Sequence, residues 1–297
     1  MKVVIAGGSG FMGRFLESQL TKDHHEVFIL TRNPKHRNDL YWDGETIGDW
    51  ITALNGADVL INLAGKSVDC RYTKKNKAAL FSSRLLSTAI LGEAIEQVNI
   101  PPKLWINSST ATIYEHSLRN PNDEQNGVIG SGFSVEVAKA WEKIFFDCKT
   151  KHTRQVALRT AIVLGDKGGA LVPMKRLTQW GGGGKMGNGN QMVSWVHQED
   201  VYSAILFIVA NTDVQGVVNV SAPNPVTNTV FMKALQKAVG VNFGLPHFKI
   251  LLEIGALLIR TETELILKSR FVLPTRLTKL GFTFKYNRVE DALASLV

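Results

Sequence analysis

Cysteine is scarce in this chain. Only Cys70 and Cys148 occur in 297 residues, in no metal-binding or redox spacing, which excludes a disulfide scaffold or a zinc ribbon and fits free thiols in a reducing compartment. Long apolar runs are missing too. The densest stretch, Ile250 to Ile259, contains Glu253 and falls short of the ~20 residues a membrane span needs. No charged and apolar leader precedes the first strand-like run, since Lys2 leads straight into it; a soluble, cytoplasmic protein is expected, or a matrix-like one if imported, with no membrane partner. Internal repeats and low-complexity tracts are also lacking. The formal net charge of +8 has neither an aromatic RNA-binding signature nor a zinc finger beside it, so nucleic acid is not expected as a primary partner. Cations at Lys66, Arg71, Lys74, Lys75, Lys77, Lys149, Lys151 and Arg154 read instead as solvated helix faces and a field for small anionic ligands. His24-His25-Glu26 falls in a helix–strand loop away from any expected site, and no metal is expected.

What is present begins at the second residue. The apolar run Lys2 to Ala6 ends in Gly7, Gly10 and Gly13, and a helical pattern starts at Phe11-Met12. Glycines so placed make a tight turn, let backbone approach a pyrophosphate and let the helix pack close to its strand. The helix start then offers free N–H groups and partial positive charge to an anion. With a strand before and a helix after, the loop predicts a nicotinamide dinucleotide site.

Apolar runs at Val3–Ala6, Val27–Leu30, Val59–Leu63, Leu104–Asn107 and Val156–Val163 alternate with helical patterns near Phe11–Leu20, Ile47–Leu54, Lys75–Glu96 and Ser134–Phe146. That alternation predicts an α/β fold, a doubly wound, Rossmann-type parallel sheet covered on both faces. Residues 1–165 read as the dinucleotide-binding domain, with its sheet completed by a strand near Gly216–Val220. Residues 166–297 read as a substrate-covering region and a smaller, mainly helical C-terminal lobe, with apolar helices at Leu245–Arg260 and Thr263–Arg270. The glycine-rich passage around Gly181–Gly184, bracketed by Trp180 and Trp195, is expected to pack over the site.

Ligands of such sheets bind at the carboxyl ends of the strands. The second strand ends in Thr31-Arg32, with Lys35 three residues on and no acid at the strand tip. An acid there would favour NAD, whereas a planar arginine fork suits a 2′-phosphate, so NADP(H) is the expected cofactor. Leu63-Ala64-Gly65 are small enough to let it lie flat. Gly7, Gly10, Phe11, Met12, Gly13, Arg32, Lys35, Leu63, Ala64 and Gly65 are thus the candidate cofactor residues. The fourth strand runs into Ser108-Ser109-Thr110-Ala111-Thr112-Ile113-Tyr114, a density of hydroxyls expected to face nicotinamide and substrate.

These residues resemble the extended short-chain dehydrogenase/reductase superfamily. Within it the chain is similar to the atypical epimerase-labelled family that carries a C-terminal domain of unknown function. The likeness rests on Asn62-Leu63-Ala64-Gly65, Arg71-Tyr72-Thr73 with Lys77 and Ser83-Arg84, Trp141-Glu142, Leu158-Arg159, Gly187-Asn188-Gly189-Asn190-Gln191, Ser194-Trp195-Val196-His197 with Asp200, and Ala222-Pro223-Asn224-Pro225. Arg32, the hydroxyl cluster and a lobe able to close over the crevice lead to the expectation of an NADP(H)-dependent oxidoreductase or epimerase of a small, sugar-like or anionic substrate. The resemblance also implies a homodimer, since superfamily relatives often pair through a helix bundle.

The superfamily's chemistry uses a tyrosine with a lysine four residues later, which lowers the phenol's pKa. Here Tyr41, Tyr72, Tyr114, Tyr202 and Tyr286 are followed at that distance by Glu45, Asn76, Leu118, Leu206 and Glu290. Counting back from Trp141-Glu142 puts Ser134 and Ala138 at the two positions, with Lys139 about 100° round the helix. Ser109, Thr110 and Tyr114 are the remaining catalytic candidates, with Lys77 and Arg84 able to meet an anion. Asp200 reads as a helix N-cap, and His197 stands open between packing and acid–base use. The missing pair also supports a second reading, a non-catalytic NADP(H)-binding sensor or regulatory partner.

Overall fold

The computed structural model describes residues 1–246 and 268–297. Its strands are β1 (Lys2–Ala6), β2 (Glu26–Thr31), β3 (Asp39–Tyr41), β4 (Val59–Asn62), β5 (Leu104–Thr110), β6 (Arg154–Thr160), β7 (Ile162–Leu164), β8 (Met192–Val193), β9 (Trp195–His197), β10 (Gly216–Val220) and β11 (Val226–Thr227). The principal helices are α1 (Phe11–Lys22), α2 (Ile51–Leu54), α3 (Lys74–Gln97), α4 (Phe133–Asp147), α5 (Leu171–Leu177), α6 (Gln198–Ala210) and α7 (Asn228–Ala238). Seven strands form one parallel sheet in the order β10-β6-β5-β4-β1-β2-β3. Unbroken apolar runs make its central strands because both faces are covered. On one face α1 and α6 bring Leu16, Leu20, Val201 and Ile205 onto Ile5, Ile29 and Ile106. On the other, Leu54, Leu91, Ile95 and Phe145 close over Val4, Leu60 and Trp105. This is the doubly wound arrangement expected.

The register aligns the strand tips. Ala6 pairs with Leu30 and Asn62, Asn62 with Asn107, and Asn107 with Ala157. The segments that follow Ala6, Thr31, Asn62 and Asn107 therefore leave the sheet at one level. α3 is long and apolar enough to cross a membrane, yet Leu80, Ile90, Leu91, Ala94 and Ile95 are buried within the protein, as in a core helix.

Two details differ from expectation. The apolar run Val156–Val163 is two strands, because Ala161 N–H donates to Val220 O (3.0 Å) while Ile162 N–H donates to Ser194 O (3.2 Å), so the chain changes neighbours between them. β3 was not foreseen; its three residues show too short an alternation to register. The edge of β10 is occupied by side chains: Asn219 N–H donates to Glu124 (2.9 Å), and Arg276 donates to Val217 O (2.9 Å).

A second core lies in the C-terminal region. Trp195, Phe231, Met232 and Leu235 pack with Leu293 and Leu296, joining α7 to the short helix Val289–Ala294. The helices expected over Leu245–Arg260 and Thr263–Arg270, and the apolar stretch Ile250–Ile259, lie for most of their length outside the described residues.

Candidate functional site

The three loop glycines occupy three different environments. Gly7 turns the chain off β1 with φ +70°, donates its N–H to Leu30 O (2.9 Å), and a Cβ on it would stand 2.7 Å from the Ala64 Cα. A Cβ on Gly13 would stand 2.2 Å from Gly8 O, so α1 packs directly against the loop's own backbone. Gly10 caps α1, and a Cβ there would meet nothing within 4 Å. No side chain caps that helix and no acid sits in its first turn, so the N–H groups of its first turn face open space. The ring of Phe11 fills the hollow over Gly165, Gly168 and Gly169, where any Cβ would fall within 2.2 to 3.3 Å of it. Met12 is half-buried beside it on the helix. This is a shape that fits a diphosphate.

The tip of β2 carries Arg32 and Lys35, both exposed. An acid beside them, Asp39 of β3, is already committed. Arg14 holds its two oxygens at 2.9 and 2.8 Å, and the N–H groups of Lys35 and His36 add 2.8 and 3.1 Å contacts. Burial pushes the Asp39 carboxyl up, but Arg14 and the two backbone donors outweigh it and hold it down at about 2. The loop is thus pinned by a spent carboxylate and presents cations outward.

At the β4 tip, Asn62 is a strut. Its amide donates to Asn107 Oδ1 (2.7 Å) and Thr88 Oγ1 (3.1 Å), and its oxygen accepts from Ala64 N–H (3.0 Å), which shapes Leu63-Ala64-Gly65.

The hydroxyl segment at the end of β5 both feeds a buried network and lines a cavity, and Ser109 takes part in both. Ser109 donates to Glu142 Oε1 (2.5 Å). Glu142 takes a two-point grip from Arg159, Nε at 2.8 Å and Nη2 at 2.7 Å. Arg159 Nη1 donates to the Tyr114 oxygen (2.9 Å), and the Tyr114 hydroxyl donates to Asn219 Oδ1 (2.9 Å). Tyr114 is 0% exposed, and burial raises its phenol further above its usual range despite Arg159. With its proton spent on Asn219 it reaches no open space, so the structure places Tyr114 as a strut between β5, β6 and β10 rather than as an acid facing a ligand. The signal for this network was legible: Arg159 lies mid-strand in an apolar run and Glu142 follows Trp141, and charges in such settings are paired.

Ser109, Thr110 and Thr112 line a cavity of about 190 Å³ together with Tyr72, Arg84, Ser134 and Ala138. The two positions counted back from Trp141 therefore do face the cavity, as serine and alanine. Lys139 points away and pairs with Glu136 at 3.1 Å on the exposed face. Tyr72 reaches the cavity from the loop before α3, packing edge-on against Phe133; the family resemblance marks its segment Arg71-Tyr72-Thr73, but not as a site residue.

His197, not Asp200, is the N-cap of α6: its Nδ1 accepts the Glu199 N–H at 3.1 Å. Burial depresses its pKa to about 4. Asp200 instead accepts from Lys285 N–H (2.7 Å) and Tyr286 N–H (3.1 Å), tying the C-terminal segment to the sheet domain. The two tryptophans also part company: Trp195 is wholly buried in the second core, and Trp180 is 91% exposed.

Residues 3–221 match the NAD dependent epimerase/dehydratase family, and residues 249–296 match a domain of unknown function, DUF1731. The chain is 32% identical over 309 residues to the epimerase family protein YfhF of Bacillus subtilis, covering 100% of this chain and 98% of that protein. It resembles the crystal structure of human epimerase family protein SDR39U1 (isoform 2) with NADPH at TM-score 0.90 and 28% identity, over 100% of this chain and 99% of the other. A nucleoside-diphosphate sugar epimerase from Corynebacterium glutamicum matches at TM-score 0.80 and 29% identity, over 98% of this chain and 57% of that one.

Proposed function

The chain belongs to the NAD dependent epimerase/dehydratase family, and from that premise we propose that it is a cytoplasmic NADP(H)-binding oxidoreductase or epimerase of a small substrate. One observation carries the reading: the uncapped start of α1 at Gly10 faces empty space beside a β2 tip whose neighbouring carboxylate, Asp39, is already bonded. The N–H groups of Phe11, Met12 and Gly13 would hold the diphosphate, with Gly7 turning the chain beneath it. Arg32 and Lys35 would take the 2′-phosphate, and Leu63-Ala64-Gly65 would form the floor under the adenosine-to-nicotinamide span. NADPH in the human neighbour supports the phosphorylated form. When bound, the nicotinamide supplies a hydride donor or acceptor.

Thr110 then stands where its hydroxyl can donate to a substrate carbonyl or alkoxide oxygen. Ser109 and Tyr114 act behind it as positioning residues, holding the β5 tip through Glu142, Arg159 and Asn219. Ala138 supplies no charge to acidify a phenol, so the proton route runs through hydroxyls or water rather than a lysine-assisted tyrosine.

Calorimetric titration with NADPH and NADH tests the reading. NADPH is expected to bind tightly, NADH at least about tenfold more weakly, and Arg32→Ala to erase the difference through loss of one charge-assisted phosphate contact. Failure of both dinucleotides to bind overturns it. The second reading, a non-catalytic sensor, is favoured by Ala138 and Ser134 at the cavity; it requires NADP⁺ and NADPH to bind a partner-competent state differently.

A further inference from the structure

The cavity beside the strand tips contains a cation that has no counter-ion among the described residues. Arg84 reaches it from α3, donating Nη1 to Leu80 O (3.0 Å) and Nη2 to Lys66 O (3.0 Å). Its guanidinium lies over the Trp141 ring at 5.0 Å. On its other side a Cβ on Gly65 would stand only 3.1 Å from the Arg84 Cζ, so the absence of a side chain at Gly65 lets the arginine lie against the β4 tip. Among the described residues no carboxylate pairs with it. A guanidinium carries five N–H donors in a planar fork, and two carbonyl contacts leave three.

Resting on the cofactor reading above, we propose that this cavity receives the carboxylate of a small organic acid, with Arg84 as its receptor and Thr110 facing the acid's reactive oxygen.

Three observations choose that ligand. Burial lowers the Arg84 pKa to about 10, with Tyr72 and Cys70 pulling the other way, so the group stays cationic at neutral pH and its charge is left for a ligand to balance. Among the described residues the cavity lining offers one such charge; Lys77, about two turns earlier on α3, is exposed with its ammonium 4.9 Å over the Phe133 ring. A single buried cation suits a monoanion, and its fork suits the two oxygens of a carboxylate. Size decides the rest. About 190 Å³ is below the ~300 Å³ at which drug-sized sites begin, a volume that suits a short-chain acid. The remaining wall, with Val68, Leu80 and Val137, is apolar and suits a short carbon chain.

The test uses the full-length protein saturated with NADP⁺ and titrated calorimetrically with lactate and pyruvate, with lactamide and pyruvamide as uncharged counterparts and inorganic phosphate as a competing anion. The acids are expected to bind at least about tenfold more tightly than their amides, and Arg84→Gln to abolish that preference. Equal binding of acid and amide, binding of neither, or a preference that survives in Arg84→Gln overturns the proposal. Phosphate binding more tightly than every carboxylate overturns the choice of a monoanion. Should Arg84→Gln fail to fold, the acid-against-amide comparison on the unsubstituted protein decides alone. NADPH titration of each protein separates the two readings: loss of dinucleotide binding strikes the cofactor site, whereas intact dinucleotide binding without acid preference strikes Arg84 only.

Discussion

Replacing Gly10 and Gly13 by alanine should separate ligand binding from folding within one loop. At Gly10 the added methyl meets nothing within 4 Å, and the backbone there, φ −79° and ψ −179°, suits any residue. Stability should move by no more than about 1 kcal/mol, since stiffening the unfolded chain offsets a poorer N-cap. The methyl would nevertheless stand in the space the diphosphate needs. Holding it off one backbone N–H forfeits a charge-assisted bond of about 1.5–3 kcal/mol, so NADPH affinity should fall by about ten- to a hundredfold. Gly13→Ala should do the reverse. Its methyl would lie 2.2 Å from Gly8 O and 2.4 Å from the Gly8 Cα, backbone atoms with no rotamer to change, so α1 must shift at a cost of about 1–3 kcal/mol. Urea denaturation and NADPH calorimetry on both variants supply the two readouts. Wild-type NADPH affinity in Gly10→Ala would refute the claim that the dinucleotide crosses Gly10. Unchanged stability in Gly13→Ala would refute the close packing of α1 on its loop.

The Glu142–Arg159 grip and the His197 cap yield two more expectations. Glu142→Gln strands Arg159 in the core and should cost about 3 kcal/mol, near 5 °C in Tm for a chain of this length; removing Arg159 from that variant should cost far less than removing it from the parent, and additivity within ~0.5 kcal/mol by urea denaturation would refute the coupling. His197 is 1% exposed and held at about 4 against 6.5 in the unfolded chain. Below 6.5 the unfolded state therefore binds more protons, and stability falls with pH until 4 is passed, by about 2 kcal/mol between pH 7.5 and 5. His197→Asn keeps a capping oxygen and should lose that much less over the same range; equal losses in both proteins would be decisive against burial of a neutral imidazole.

Periodicity and glycine spacing made the sheet legible, because a strand buried on both faces must be an apolar run and a helix packed on its own loop must have glycine at Gly13. Side-chain direction was not legible in the same way. Tyr114 follows the right strand yet turns inward, because Arg159 on another element needs a partner in the core, and Ser109 reaches the cavity with its proton already given to Glu142. His197 displaced Asp200 as the cap for a similar reason: Asp200 serves two backbone donors at Lys285 and Tyr286 that no local pattern announces. Arg84 could be placed on a basic helix from sequence, but its lack of a counter-ion depends on what the fold gathers around it.

The last strand of the main sheet, β10, comes from residues beyond the glycine-rich passage. A ribosome that has released only the first 165 residues has therefore exposed β6 as a bare edge, with its outward N–H and C=O groups ready to pair with any other extended chain. Closure of that edge waits for Gly216–Val220, and the side chains that guard β10 in turn, Glu124 and Arg276, come from either side of it in the chain. A truncated copy ending near the apparent domain boundary is thus a candidate for aggregation rather than a minimal nucleotide-binding module. The nascent chain has most need of a chaperone in the interval between the two.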